Sequence, residues 1–232
     1  MIFAVDERLF EVFPDLQIGV LVCRVDNTKY GEDMLEPALA GIRAGFGYEK
    51  PQDHPNVKAW RQAFNKLGIS AAKYQSSIES LVRRALKGGA FPRVNPLVDL
   101  YNAISLEFLV PMGGHDLAPL DGDIFLGFAE GNEPFTPMEG GEDEAAEKGE
   151  VVYKDDRSVL TRRWVWRQSN KDKVTAKTSS VFMPIDVMEG LPRTLTEDVM
   201  ERVSGYLREN MSGEVVSRDI LTREKRSAKF VV

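Results

Sequence analysis

The sequence predicts an α+β fold whose sheets are largely antiparallel, on three observations. After two opening strands, segments with apolar residues three and four apart cluster before residue 110. Short segments rich in Val, Phe and Trp, separated by Gly, Asp and Asn, cluster after it. The two textures do not alternate as they would in a doubly wound parallel sheet. With 232 residues the chain can bury a substantial core, and it fits a single domain over residues 1–232.

The elements follow in chain order. IFAV opens as a short strand, and LQIGVLVCRVD follows as a mostly buried one, rich in branched residues. MLEPALAGIRAGF, HPNVKAWRQAFNKLG and SSIESLVRRALKG read as helices, the last two ending on glycine, which tolerates the left-handed turn that closes a helix. Ser76 or Ser77 with Glu79 supplies a helix start. In NPLVDLYNAISLEFL, Asn95 suits the cap, Pro96 the first helical position, and Leu97, Tyr101, Ile104 and Phe108 form an apolar stripe. GDIFLGFAE, GEVVYKD, SVLTRRWVWRQ and TSSVFMPID read as strands. TLTEDVMERVSGYLREN returns to helix, with Thr194 or Thr196 as its cap. Residues 215–232 read as a basic C-terminal tail: EVVSRDIL forms a last strand and REKRSAKFVV a mobile end.

Composition narrows the function classes. Apolar residues at 43% and charged residues at 28% describe a soluble globular chain, and no run approaches the roughly 20 apolar residues of a spanning helix. The start MIFAVDERLFEVF lacks a basic region and a small-residue cleavage site, so a cytoplasmic location and no membrane partner are expected. Cys23, the single cysteine, lies in the apolar run IGVLVC and is expected to fill core. With one cysteine and two histidines, no protein-ligated metal is expected, and the phosphate-loop, nucleophile-elbow and paired-cysteine motifs are missing. No cofactor is expected.

The net charge of −6 argues against a generic nucleic-acid coat but hides an uneven distribution. EGGEDEAAEKGE, residues 139–150, carries six acids against one lysine and reads as a solvated loop. Residues 157–177 then carry seven Lys or Arg against Asp172 alone. That stretch is either a solvated strand face or a phosphate-holding surface.

Three places could carry chemistry. Asn95, Asp99 and Asn102 share one face of an otherwise apolar helix, which either caps and anchors loops or walls a pocket. Beyond Pro111, the pair Gly113 and Gly114 permits a glycine turn with backbone N–H groups free for a carbonyl or phosphate, and His115 beside it could orient a water or meet an ester. As one strand, SVLTRRWVWRQSNKDK would place Arg162, Trp164, Trp166 and Gln168 on one side and Arg163, Val165 and Arg167 on the other. The rings then either form core or stack a base or an aminoacyl group.

Together, the order N-P-L-V-D-x-x-N, G-G-H-D, G-D-I and R-R-W-x-W-R-Q, strongest over residues 55–190, resembles the B3/B4 domain, the editing and tRNA-binding module of the phenylalanyl-tRNA synthetase beta subunit. It is more similar still to free-standing B3/B4 proteins. The resemblance implies a B3/B4-like domain with antiparallel sheets flanked by helices. It also implies a trans-editing aminoacyl-tRNA deacylase acting on the aminoacylated 3′ end of tRNA, with canavanyl-tRNA one substrate associated with such relatives. It places Asn102 on a matching pocket asparagine, Tyr101 where the family has threonine, His115 on the family's histidine, and Gln168 nearest the family's specificity glutamate. The implied site has His115, Gly113, Gly114 and Asn102 around the ester. Tyr101, Asp99, Trp164, Trp166 and Gln168 line the amino-acid pocket, and Arg83, Arg84, Arg162, Arg163, Arg167 and Lys171 hold tRNA. The rival readings are a non-catalytic RNA-binding module and an interaction or small-molecule-binding domain that keeps only the fold.

Overall fold

The computed structural model describes residues 1–231 and is α+β. It begins with β1 (Ile2–Val5), α1 (Glu7–Val12) and β2 (Gln17–Arg24), then α2 (Leu35–Gly45), a 3-10 turn at Pro51–Asp53, α3 (Pro55–Lys66), α4 (Ser77–Lys87) and α5 (Pro96–Phe108). The strand-rich part holds β3 (His115–Asp116), β4 (Ile124–Phe128), β5 (Pro134–Phe135), β6 (Glu144–Ala145), β7 (Val151–Lys154), β8 (Val159–Arg162), β9 (Arg167–Gln168) and β10 (Ser180–Val187). α6 (Leu195–Asn210), β11 (Glu214–Leu221) and β12 (Ser227–Lys229) complete it.

The strands form a six-stranded sheet in the order β12-β1-β4-β7-β8-β9, a four-stranded sheet β11-β2-β10-β3, and the ribbon β5-β6. β1 and β4 pair in parallel, and the remaining ladders are antiparallel. α5 and α6 close one cluster of core residues over the four-stranded sheet. α6 can lie close because residue 19 is glycine: a Cβ there would sit 2.7 Å from Thr196 Cγ2. A second cluster joins α1 to α4 with the six-stranded sheet, centred on Trp164, whose ring meets Trp60 of α3 edge-on at 5.2 Å and Phe13 at 5.8 Å. Cys23 is buried in β2, and burial pushes its thiol up to about 12. Among the described residues no helix is long and apolar enough to cross a membrane.

One element escapes the sequence pattern and three expectations change. The six-residue α1, capped by Asp6 accepting from Arg8 N, is too short to show a helical period. SVLTRRWVWRQ is a hairpin and not one strand: Thr161 pairs with Gln168, Arg162 with Arg167, and Arg163 and Trp164 take left-handed φ of 46° and 64° to reverse the chain. Thr194 holds the N-cap position of α6 as one of the two expected, but without a side-chain cap bond, and Thr196 donates to Gln17 Oε1 at 2.7 Å. The C-terminal segment is no mobile tail. β12 pairs antiparallel with β1, Phe230 N donates to Met1 O at 3.0 Å, and the Phe230 ring stacks on Phe182 at 6.3 Å.

That last finding sets a test. Phe230→Ala should destabilise the protein by about 3–5 kcal/mol in urea unfolding, the range for emptying a buried Phe site. A frayed tail would give a change within about 0.5 kcal/mol.

Candidate active site

α5 sets one wall of the site. Asn95 caps it by accepting from Val98 N at 3.1 Å and donates to Val174 O at 3.1 Å, while Asn27 donates to Asn95 Oδ1 at 3.0 Å. Asp99 accepts from Val94 N at 3.1 Å and from Arg93 at 3.3 Å, so it fixes the loop before the helix. The expected substrate contact at Asp99 is thereby corrected to an anchor. Tyr101 and Asn102, further along α5, do reach the cavity.

After the left-handed Leu109 ends α5, the chain runs extended along the sheet, bridging Met112 to Ile185 before β3 pairs His115 with Phe182 of β10. Gly113 and Gly114 therefore form no left-handed turn. What glycine supplies is room. A Cβ at Gly114 would meet Val174, Tyr101 and Val181 at 3.1–3.2 Å, and one at Gly113 would meet nothing within 4 Å.

His115 is buried between the rings of Tyr153 (5.8 Å) and Phe182 (5.7 Å). Its Nδ1 is hydrogen-bonded to Asp172 Oδ2, and Asp172 is fully buried. Gln168 Nε2 donates to Gly114 O at 2.8 Å and to the same Asp172 Oδ2 at 3.0 Å. Asp172 Oδ1 is buried without a hydrogen-bond partner. Among the described residues Nε2 of His115 has no protein partner, and the ring lies in the cavity wall.

A second carboxyl faces the same space. Asp186 of β10 accepts at Oδ1 from Tyr153 Oη at 2.7 Å and from Trp164 Nε1 at 2.9 Å. Burial pushes it up to about 6, against the opposing pull of Trp164, Tyr153 and the neighbouring His115. Burial, with Asp186 beside it, pushes the Tyr153 phenol well above its ordinary range. Burial also raises the Tyr101 phenol, helped by the charges of Asp172 and Asp99, so both hydroxyls stay protonated donors.

His115, Tyr101, Tyr153, Gln168 and Asp186 line a cavity of about 290 Å³, and Asp172 sits behind the imidazole outside its lining. The cavity brings together Tyr101, Asn102, Gly113, Gly114, His115, Trp164, Trp166 and Gln168 from the sequence analysis, with Arg84 and Arg167 at its wall. Tyr153, Asp172 and Asp186 were missed. Two had a signal: Asp172 is the one acid in a basic stretch, and Asp186 is the one charge in the apolar strand SVFMPIDV. A larger cavity of about 570 Å³ lies between α2, α5 and α6 and contains none of these groups. Among the described residues no cluster of three or more His, Cys, Asp or Glu is arranged to hold a metal.

The expected cationic face is mostly spent inside the protein. Arg162 and Arg163, only 6% and 7% exposed, pair with Glu150, Glu144 and Glu147. Burial pushes the Glu150 carboxyl up, but Arg162, the Glu147 amide and the charge of Arg163 outweigh it and hold it below its usual range. Lys171 is held by Asp121 and Asp155, Arg83 by Glu79, and Arg167 by Glu139 and Glu144. The acidic run 139–150 is therefore no free solvated loop but the counter-charge of the hairpin beside it. Arg84 alone of the six expected cations has no carboxylate partner among the described residues, and it is exposed.

A crystal structure of an N-terminal fragment of the phenylalanyl-tRNA synthetase beta-subunit from Pyrococcus horikoshii aligns over 86% of this chain and 48% of the fragment, at 14% identity and a TM-score of 0.44. The phenylalanine–tRNA ligase beta subunit of Fusobacterium nucleatum is 30% identical over 117 residues, which are 50% of this chain and 14% of that subunit's length. The B3/4 domain family matches residues 59–209, a span that covers more than half of the sequence and encloses every residue of the His115 cavity, and to that family this chain belongs.

Proposed function

We propose that the chain is an aminoacyl-tRNA deacylase that acts in trans, hydrolysing the ester of a mischarged tRNA in the His115 cavity. The observation that carries this reading is the buried His115, tied by Nδ1 to Asp172 and left with a free Nε2 at the wall of a small cavity. An aminoacyl ester is already activated, so a positioned water, a base for its proton and donors for the developing oxyanion suffice without a nucleophilic side chain. Asn102 and the Tyr101 hydroxyl are such donors, and the open edge at Gly113 gives the ester room beside the imidazole. At about 290 Å³ the cavity lies near the lower end of ligand sites, roughly 300–1,000 Å³, which suits an aminoacyl group with a water. The Asp186 carboxyl favours a side chain bearing hydrogen-bond donors, which puts canavanyl-tRNA early in any panel of substrates.

The family relationship supports tRNA as the partner, and Arg84 at the cavity wall marks where the terminal phosphates would pass. Arg162 and Arg163 are poorly suited to that task, since drawing them to phosphate would strip the buried Glu150 carboxylate of its counter-charge.

Three outcomes test the reading. Over a panel of mischarged tRNAs at least one should be deacylated, and His115→Ala should slow that hydrolysis about 10- to 10⁴-fold. tRNA bound without turnover of any panel member would leave an RNA-binding module instead.

The binding test separates the cations. tRNA affinity should fall with salt at a log–log slope of roughly −2 to −5, and Arg84→Ala should make that slope shallower by about one. Arg162→Ala should instead cost roughly 3–5 kcal/mol of stability by removing the closest ion pair of the buried Glu150. The reverse pattern would return the RNA to the hairpin.

Asp186 gives a pH signature. Its folded pKa of about 6 lies above its ordinary 3.8, so between these values the folded state holds a proton that the unfolded chain has lost. Stability therefore falls as pH rises through that window, and the full penalty is present above about 6. Asp186→Asn keeps an acceptor for Tyr153 and Trp164 but does not titrate. Its stability relative to the wild type should rise between pH 4 and 6, by up to about 3 kcal/mol, and then level off in urea unfolding. A difference that is flat with pH would show that Asp186 is not held up by its surroundings.

A further inference from the structure

We infer that Asp172, which lies outside every recognised motif of the chain, is the positioning residue that sets the tautomer of His115 and so makes Nε2 the base. The inference rests on the deacylase reading for its chemistry, but its geometry stands apart from it.

The orientation can be followed outward from a group that cannot donate. Gly114 O is an acceptor, so the Gln168 atom 2.8 Å from it is the amide nitrogen. The second hydrogen on that nitrogen points to Asp172 Oδ2 at 3.0 Å. Oδ2 thus accepts from Gln168, and the same oxygen meets His115 Nδ1. An ionised carboxylate only accepts, so the proton of the neutral imidazole sits on Nδ1 and the lone pair on Nε2. Asp116 N, donating to Asp172 O at 2.9 Å, ties the backbone of the pair as well. Each of these contacts holds Asp172 or His115 in place. Gln168, expected to read the amino acid, has both amide hydrogens engaged in the same task.

With that tautomer the reaction balances. Nε2 takes a proton from water as the water oxygen bonds to the ester carbonyl carbon. The bond from that carbon to the ribose oxygen then breaks, and Nε2 returns the proton to the departing oxygen. A free amino acid and a tRNA with its terminal hydroxyl are the products. While the imidazole is charged, Asp172 stabilises it at Nδ1, and the other groups facing the ring are Tyr153 and Asp186.

Nitrogen-15 NMR reads the tautomer directly, and the chain's two histidines make assignment simple. A His54→Asn background, which keeps a side-chain cap on α3, leaves His115 as the one imidazole. At pH 8 the wild-type ring should be protonated at Nδ1, and in Asp172→Ala the Nε2-protonated form should become the major one. Either an Nε2-protonated ring in the wild type or an unchanged tautomer in the variant overturns the inference. If Asp172→Ala does not fold, Asp172→Asn and the wild-type spectrum still decide it. On the deacylation substrate, Asp172→Asn should lower kcat about 10²- to 10⁴-fold with little change in KM and displace the pH–rate profile. An Nδ1-protonated ring in a protein that turns over no aminoacyl-tRNA would sink the deacylase reading and leave the tautomer assignment standing.

Discussion

The contact between His115 and Asp172 depends on a strap of chain, residues 169–178, that most of the site hangs from. Ser169, Asp172, Val174 and Thr178 are each buried, although the segment carries three lysines. Asp172 O receives Asp116 N at 2.9 Å, Thr178 donates to Asp116 Oδ2 at 2.6 Å, and Val174 O receives the Asn95 amide that also caps α5. Asn27 donates to Thr175 O at 2.7 Å, which brings in the loop after β2. One strap thus fixes the start of α5, the two residues of β3 and the imidazole against each other. Nearly all of its polar groups are satisfied, as burial demands.

Charge is organised on the same principle of local closure. The acidic run and the basic run lie next to each other in sequence, so the hairpin of β8 and β9 folds with its counter-charges already tethered. Buried arginine is tolerable only with such pairing. The consequence for function is that the hairpin arginines offer little free charge, and the exposed cations near the site without a carboxylate partner among the described residues are Lys173 and Lys177 of the strap and Arg84 of α4.

Much of the fold was legible because it rests on local patterns. The caps at Ser76 and Asn95, the closing glycines Gly68 and Gly88 and the apolar periods of α2 to α6 are all set by neighbours in sequence. What escaped is set by distant partners. The turn at Arg163 and Trp164 holds two left-handed residues without a glycine to announce it, because Trp164 N donates to Val151 O at 2.6 Å and Arg163 N to Glu150 at 2.9 Å. β12 shows itself only through β1 at the other end of the chain. The site followed the same division: His115 with its glycines could be read from the motif, whereas its Asp172 partner, 57 residues away, could not.

Stability and function separate at the buried charges. Glu150 is answered by two arginines and two backbone amides, and Glu79 by Arg61 and Arg83, so both belong to the architecture. Asp172 and Asp186 are different. One leaves a buried oxygen without a partner, and the other is pushed toward its neutral form, and both neighbour the His115 imidazole. The strained Arg163 and Trp164 backbone adjoins them and delivers the indole N–H to Asp186. A sequence selected for stability alone would fill this cavity with apolar side chains, since replacing imperfectly satisfied buried charges in that way is often neutral or favourable. An unpartnered buried carboxylate oxygen, a carboxyl pushed toward its neutral form and non-glycine strain gather around one small cavity, where the fold gives up stability that apolar packing would supply.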